Sequence, residues 1–303
     1  MSPQQKPLGI VVGVDGSPSS TAAVEWAARD AEMRNVRLTL VHVVPPVVAG
    51  GGFWPETPAP GGLAELQEGE ARQVIEDGLK TALEASSPDR AEQVHSEVRN
   101  AQIVPTLIEL SKDADLLVLG CRGQGALARA LLGSVSSALV HHAHCPVAVI
   151  HDEDPAQSHS PEAPVVVGVD GSPASELATE IAFDEASRRG VELVAVHAWS
   201  DMGPLNFGTP GRAPIEWANV KEQEEEVLGQ RLAGWLEQYP DVPVRRVVVS
   251  DRPAPRLLEQ AENAQLLVVG SHGRGGFTGM LLGSVSRTVV NSAQIPVIIA
   301  RKP

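Results

Sequence analysis

One stretch of eight residues occurs twice, letter for letter. Val11-Val12-Gly13-Val14-Asp15-Gly16-Ser17-Pro18 returns as Val166-Val167-Gly168-Val169-Asp170-Gly171-Ser172-Pro173. Further along, residues 116–150 align with residues 266–300 without a gap, and close to half of the positions are identical. A period near 150 residues is far too long for a solenoid unit and matches an ordinary domain. The 303-residue chain is therefore read as one domain duplicated, with copies at residues 1–150 and 165–303. Residues 151–164 lie between them, with three prolines, four acids and almost nothing apolar. That is the composition of an exposed linker.

Within each copy, apolar strands alternate with helical spacing. In the first, residues 9–14 form an apolar run, residues 21–33 carry a helical face with Ala22, Ala23, Trp26 and Ala27, and residues 37–44 read as a second strand. A long helix is expected over 63–85, a third strand over 93–98 and a helix over 104–110. A fourth strand over 116–120, a helix starting near Ser134 and a fifth strand over 146–150 complete the copy. The second copy repeats the order, with strands near 165–169, 191–199, 244–249, 266–270 and 296–300. Mostly apolar strands between helices imply a parallel sheet covered on both faces. Aromatic residues make up only 3% of the chain, so Val, Leu, Ala and Ile must fill such cores. The expected fold is α/β: two doubly wound five-stranded parallel-sheet domains in tandem.

Formal net charge is −14 with no basic cluster, and acids outnumber bases in both copies. This disfavours sequence-independent binding to nucleic acid or anionic lipid. No run of 18 apolar residues is present, so no membrane span is expected. The first seven residues lack the basic region and apolar core of a secretory signal. Two cysteines, Cys121 and Cys145, make no disulfide framework. Together these features predict a reducing, cytoplasmic setting.

Ligands of such sheets sit beyond the carboxyl ends of the strands, where strand order reverses. Two loops should meet there: one after the first strand, carrying Asp15 and Gly16, and one after the fourth. The second loop reads Gly120-Cys121-Arg122-Gly123, nine residues, then Gly133-Ser134-Val135-Ser136. Its counterpart reads Gly270-Ser271-His272-Gly273, nine residues, then Gly283-Ser284-Val285-Ser286. Glycine lets backbone N–H groups approach an anion with no Cβ between them. Ser134 and Ser284 fall where a helix starts, so their hydroxyls are expected to cap it or to bond a phosphate, with helix-terminal N–H groups as further donors. Each such contact contributes about 0.3–1 kcal/mol when exposed, so an acidic protein needs several acting together. The plain alternative is that these glycines only make turns. A Gly-x4-Gly-Lys-Ser/Thr loop is absent, and Gly123-Gln124-Gly125-Ala126-Leu127-Ala128 follows the wrong strand for a dinucleotide fingerprint.

At these residues the chain resembles the universal stress protein family. The ATP-binding branch of that family carries Gly-x2-Gly-x9-Gly-Ser/Thr after the fourth strand and an Asp after the first. The resemblance spans essentially the whole chain, in the tandem form, and both copies match without substitution. It implies strand order 3-2-1-4-5, the adenine nucleotide alpha hydrolase-like arrangement, with one ATP clamped between the two loops of each domain. Gly13, Asp15 and Val43 would flank the adenosine, Gly120, Gly123, Gln124 and Gly125 would wrap the phosphates, and Gly133, Ser134 and Val135 would complete the cradle. The matching set in the second copy is Gly168, Asp170, Ala198, Gly270, Gly273, Arg274, Gly275, Gly283, Ser284 and Val285. Mg²⁺ on the phosphates suits carboxylate and phosphate oxygens, and Asp15 and Asp170 are left as ligands of either the ribose or that metal. In the family the last strand often pairs across a two-fold, so 146–150 and 296–300 are expected to pair with each other. A homodimer of whole chains has no residue of its own to speak for it.

Several other features compete for attention. His141, His142, His144 and Cys145 have a helical spacing that a metal could use. The second copy has Asn291, Ser292, Gln294 and Ile295 there, so helix-end histidines are expected and no metal ligand is assigned. Cys121 lies inside the glycine loop, where helix dipoles could stabilise a thiolate; Ser271 replaces it in the second copy. His42 and His197 recur on the second strands and read as hydrogen-bonded structural histidines. Glu222 to Glu226, interrupted by Gln223, reads as a solvated helix face. Loops 45–62 and 200–214 are long enough to cover the sites. Three functions follow: an ATP-binding regulatory protein of the stress-response type, a slow ATPase using Arg122, Arg274 or His272, and a scaffold with empty loops. No catalytic base or arginine finger is poised as in dedicated phosphoryl-transfer enzymes. That favours the first, and no catalytic residue is assigned.

Overall fold

The computed structural model describes residues 8–46, 63–123, 132–151, 160–199, 217–274 and 282–302. Backbone contacts divide the chain into two units, Met1–Asp152 with Pro303, and Glu153–Lys302. The first unit runs β1 (Gly9–Gly13), α1 (Pro18–Arg34), β2 (Leu38–Val44), α2 (Leu63–Glu84), a 3-10 turn (Pro88–Gln93), β3 (Val94–Asn100), α3 (Ile103–Leu110), β4 (Ala114–Gly120), α4 (Ser134–His142) and β5 (Val147–Ile150). The second runs β6 (Val165–Gly168), α5 (Pro173–Arg189), β7 (Leu193–Trp199), α6 (Trp217–Gln238), β8 (Val244–Ser250), α7 (Pro253–Ala261), β9 (Leu266–Gly270), α8 (Ser284–Ser292) and β10 (Val297–Ala300). Strand order is β3-β2-β1-β4-β5 in one and β8-β7-β6-β9-β10 in the other. Every pairing within these two series is parallel. The expected doubly wound fold is present twice, and strand order reverses between β1 and β4 and between β6 and β9.

Helices on both faces make the strand interiors apolar on both sides. Ile10, Val11, Val12, Leu117, Val118 and Val147 are fully buried in the first unit, as are Val166, Val167, Leu193, Leu267 and Ile298 in the second. In the first unit α1 packs beside α2 and α3 beside α4.

The repeated Ser-Pro starts the first helix of each unit. Ser17 is the N-cap of α1 and Ser172 that of α5, each hydroxyl accepting the N–H three residues on at 3.2 Å, with proline at the first helical position. Asn35, left-handed at φ 54°, ends α1, and Gly190 at φ 66° ends α5. Buried Arg90, from the 3-10 turn, lies at the negative pole of α1. It donates to Ala31 O at 3.1 Å, Val36 O at 2.7 Å and Asn35 Oδ1 at 2.5 Å. Nearby, the Ser87 hydroxyl and N–H both donate to the Glu32 carboxylate. The hydroxyl is the chief cause of a Glu32 pKa below the usual carboxylate value; partial desolvation opposes it, and the Ser87 N–H and the Arg90 charge assist it.

Candidate functional site

β1 and β4 end side by side, with Val12 opposite Val118, and the loops that follow are tied into one rim. Past Gly13, Asp15 turns back on the start of α1. Its Oδ1 accepts the Ser17 N–H at 3.0 Å and the Ser17 hydroxyl at 2.6 Å, while its own N–H donates to Ser20 Oγ at 3.1 Å. From α1, Ser17 Oγ lies 3.2 Å from Arg122 O, and Ser19 Oγ donates to the same carbonyl. Glycine is required where these pieces touch. A Cβ on Gly120 would fall 2.7 Å from the carbonyl carbon of Ser19, and one on Gly123 would fall 2.7 Å from Asp15 Oδ2.

Gly133 closes the second loop by donating to Cys121 O at 2.7 Å, and it occupies the N-cap position of α4. Gly133 has no side chain with which to cap that helix, and the N–H groups of the first turn have no intrahelical acceptor. Ser134, Val135 and Ser136 of that turn border an open cleft at the carboxyl ends of the strands. Val41, Val43, Ile103 and Leu107 give the same cleft an apolar wall. Among the described residues that line the cleft, Asp15 is the one carboxylate and Arg122 the one guanidinium. An apolar wall in one cleft with uncapped helix N–H groups suits a flat aromatic ring that carries an anion.

The second unit repeats the rim. Asp170 Oδ1 accepts the Ser172 N–H at 2.9 Å, and Asp170 N–H donates to Ser175 Oγ at 2.9 Å. Here Asp170 Oδ2 also accepts the Arg274 N–H at 3.2 Å, which staples the two loops directly. Ser172 Oγ reaches His272 O at 3.2 Å. A Cβ on Gly273 would fall 2.5 Å from Asp170 Oδ2, and one on Gly270 would fall 2.7 Å from the Ala174 carbonyl carbon. Gly283 donates to Ser271 O at 2.7 Å and holds the N-cap of α8, again with no side-chain cap.

Gly13, Asp15, Val43, Gly120, Gly123, Gly133, Ser134 and Val135, all singled out by the sequence, line the first cleft. In the second unit Asp170, Gly270, Gly273, Arg274 and Gly283 meet as described, and Ser284 and Val285 open α8. A Cβ on Gly168 would fall 3.3 Å from the Leu257 side chain of α7, and Ala198 is half-buried near the end of β7. Gln124, Gly125 and Gly275 lie outside the described residues, as do most of loop 45–62, all of loop 200–214 and the centre of the linker.

Two expectations need correction. Ser134 and Ser284 do not cap their helices: the glycines before them hold the cap position, and the serines stand first in the helix with exposed side chains. Glu224 is not part of a purely solvated face, because its Oε2 lies 3.0 Å from His197 Nε2. The structural reading of the strand histidines fits their bonds, since Nδ1 of His42 and of His197 lies 2.6 Å from Val14 O and Val169 O respectively. Cys121 and Cys145 are free thiols, 4% and 5% exposed, so Cys121 presents no accessible thiolate to an oxidant. Among the described residues no group of three or more His, Cys, Asp or Glu is placed to hold a metal ion. Nor is any helix among them long and apolar enough to cross a membrane.

The sequence reading missed the apolar wall from α3 and the inner serines. Ile103 and Leu107 were visible only as a helical i, i+4 pair. Ser136 donates to Gly120 O at 2.7 Å and Ser286 to Gly270 O at 2.6 Å. Their signal was present, since both copies carry Gly-Ser-Val-Ser.

Two such rims, each at the reversal point of a doubly wound sheet, define a tandem α/β protein. The sequence profile of the universal stress protein family matches residues 9–151 and again 163–301. Similar proteins include universal stress protein Rv1996 of Mycobacterium tuberculosis, 61% identical over 311 residues, covering 100% of this chain and 98% of that protein. Universal stress protein Rv2623 of the same organism is 54% identical over 302 residues, covering 100% of this chain and 99% of that protein. A crystal structure of a universal stress protein from Archaeoglobus fulgidus shares the fold, with a TM-score of 0.67 at 20% identity, covering 99% of this chain and 100% of that one. The chain belongs to the universal stress protein family, in its tandem form.

Proposed function

We propose that this protein is an ATP-binding regulatory protein of the stress response, holding one adenine nucleotide in the crevice of each domain. The observation that carries this reading is the first-domain cleft, which glycine-bordered backbone and the uncapped N-terminus of α4 share with an apolar wall. The polyphosphate would lie against the Gly120–Gly123 and Gly133–Val135 backbone, with the adenine on Val41, Val43, Ile103 and Leu107. Oriented peptide N–H groups supply the positive potential in a chain of net charge −14. Mg²⁺ on the phosphates belongs to the same reading, with Asp15 the carboxylate among the described residues of the cleft. Among the described residues of the cleft, the two groups able to take up a proton are both tied to the rim: Asp15 accepts from Ser17, and Nδ1 of His42 lies 2.6 Å from Val14 O. Binding is therefore favoured over hydrolysis as the working event.

Acid extraction of the purified protein, followed by chromatography and ultraviolet absorbance, tests the reading. About two moles of adenine nucleotide per mole of chain, either retained or taken up from added ATP, are expected. Vacant sites at saturating ATP would overturn it. Phosphate release in a single turnover near 1 s⁻¹ would instead make the protein an enzyme.

A further inference from the structure

β3 is the outer strand of the first sheet: among the described residues it pairs with β2 and with no strand beyond. Edge strands are commonly guarded against strand addition by a bulge, a proline or a lysine. This one is not. Its residues match β2 one for one, from Leu38 with Val94 to Val44 with Asn100, without a shift of register. It contains neither proline nor lysine, and His95, Ser96, Val98, Arg99 and Asn100 are exposed. Exposed apolar surface gathers on the same flank. Among the described residues the large hydrophobic side chains left exposed are Leu66, Leu83 and Val98. Val98 lies on β3 and the two leucines on α2, the helix packed against it. Apolar exposure confined to one flank points to a contact there.

The charges of the strand select the partner. Glu97 and Arg99 are two residues apart and so share a face; Arg99 donates to Glu97 through Nε at 3.0 Å and Nη2 at 3.2 Å. Consider a second β3 laid antiparallel along the edge, with a two-fold axis through Val98. Glu97 of each copy then lies across from Arg99 of the other, and Ser96 across from Asn100. Val98 meets its own counterpart on the opposite face. Opposite charges directly across a strand pair attract, and two exposed valines packed together leave water. β8, the outer strand of the second sheet, lacks this self-match. Its Arg245 and Arg246 have no acid in the strand to answer them. Pairing with itself gathers like charge, and pairing with β3 adds arginine where Glu97 is already matched by Arg99.

We propose that the β3 edge is a homodimer interface, at which a second copy of this chain adds its own β3 antiparallel across a two-fold axis at Val98. Antiparallel pairing at the edge of a parallel sheet is a common combination, and a two-fold uses up the edge on both copies. In the sheet β2 separates β3 from β1, where the crevice lies, so the interface stands apart from the nucleotide-binding function proposed above.

Sedimentation velocity of the full-length protein across the micromolar range, without and with ATP, tests this. The natural chain should show a monomer–dimer equilibrium in both conditions. Glu97→Arg and Arg99→Glu should each raise the dissociation constant by about tenfold or more, because each sets like charges across the axis at both pairs. An equal mixture of these two variants should dimerise again, as should the exchanged chain that carries both substitutions. Val98→Lys should leave a monomer. A native circular dichroism spectrum in each variant shows that the contact, not the fold, was lost; should Val98→Lys not fold, the charge variants and their mixture decide. A natural chain that stays monomeric, or a dimer unmoved by these substitutions, overturns the interface. Assemblies that grow past the dimer with concentration indicate head-to-tail pairing and overturn the two-fold.

Discussion

Gly123 is the position at which the binding model is most exposed. The change to alanine is small, and no positive φ is at stake, since Gly123 is not among the described glycines with left-handed backbone. The added Cβ would nevertheless lie 2.7 Å from Asp15 Oδ2, well inside van der Waals contact, and Asp15 is not free to swing away. Its other oxygen holds the Ser17 N–H and hydroxyl at 3.0 and 2.6 Å, contacts of a type worth about 1.5–3 kcal/mol each. Relief through partial loss of one of them costs the domain about 1–2 kcal/mol. For a unit of this size that lowers the melting temperature by about 2–4 °C per kcal/mol, without unfolding it. The effect on the ligand is larger, because the methyl and the displaced carboxylate both occupy the approach to the loop N–H groups. Losing one or two such donors lowers ATP affinity about 10- to 100-fold. Since Gly273 is untouched, titration calorimetry of Gly123→Ala should show one site weakened and one retained, and the Gly123→Ala/Gly273→Ala pair should weaken both. Gly69→Ala is the matched control: in α2 an added Cβ meets nothing within 4 Å, and removing an exposed helical glycine should add about 0.5–1 kcal/mol. Two ATP bound by Gly123→Ala with undiminished affinity would refute the placement of the polyphosphate on this loop.

Other perturbations have defined outcomes. Glu185 is fully buried and held by Arg189 through Nε at 3.0 Å and Nη2 at 2.7 Å, so Glu185→Ala should cost about 3–5 kcal/mol in urea unfolding by leaving a buried cation short of its acceptor. Ser17→Ala removes the cap of α1 and should cost about 0.5–2 kcal/mol, with Ser172→Ala behaving alike in its own domain. The Glu32 carboxyl titrates below its usual 4.5. Its contribution to stability is therefore present above that value and lost as pH falls through the depressed folded-state pKa. In Ser87→Ala, carboxyl NMR should show the Glu32 midpoint moving up, and the stability difference from the natural chain should vanish at the acid end of the titration.

Much of this was legible from the residues because the decisive signals are local. The Ser-Pro helix starts, the apolar strands and the glycine spacing each act over a few positions, and the duplication showed which of them belong to the fold. The edge strand was read short, over 93–98, whereas β3 continues to Asn100. Its last residues, Glu97 to Asn100, pair with β2 through the backbone and need no apolar side chains to do so. The 3-10 turn was missed because its purpose is long-range: it delivers Arg90 to carbonyls more than 50 residues earlier. For the same reason the wall from α3 and the inward turn of Glu224 could not be seen. An apolar pair or a glutamate on a helix does not say what faces it until topology brings β2 or a histidine beneath. The cap assignment failed by one residue, since glycine and serine are both acceptable N-caps and only backbone geometry separates them.

Ser17 begins α1, orients Asp15 and touches the carbonyl of Arg122. A single hydroxyl thus joins the folding of a helix to the shape of the mouth above it, so the rim cannot come apart while the domain stays intact. Occupancy is then written into cooperativity: a ligand at 100 times its dissociation constant deepens the native well by about 2.7 kcal/mol. In the second unit Ser172 likewise caps α5 and reaches the His272 carbonyl, so a ligand there should reinforce its own helix start in the same way.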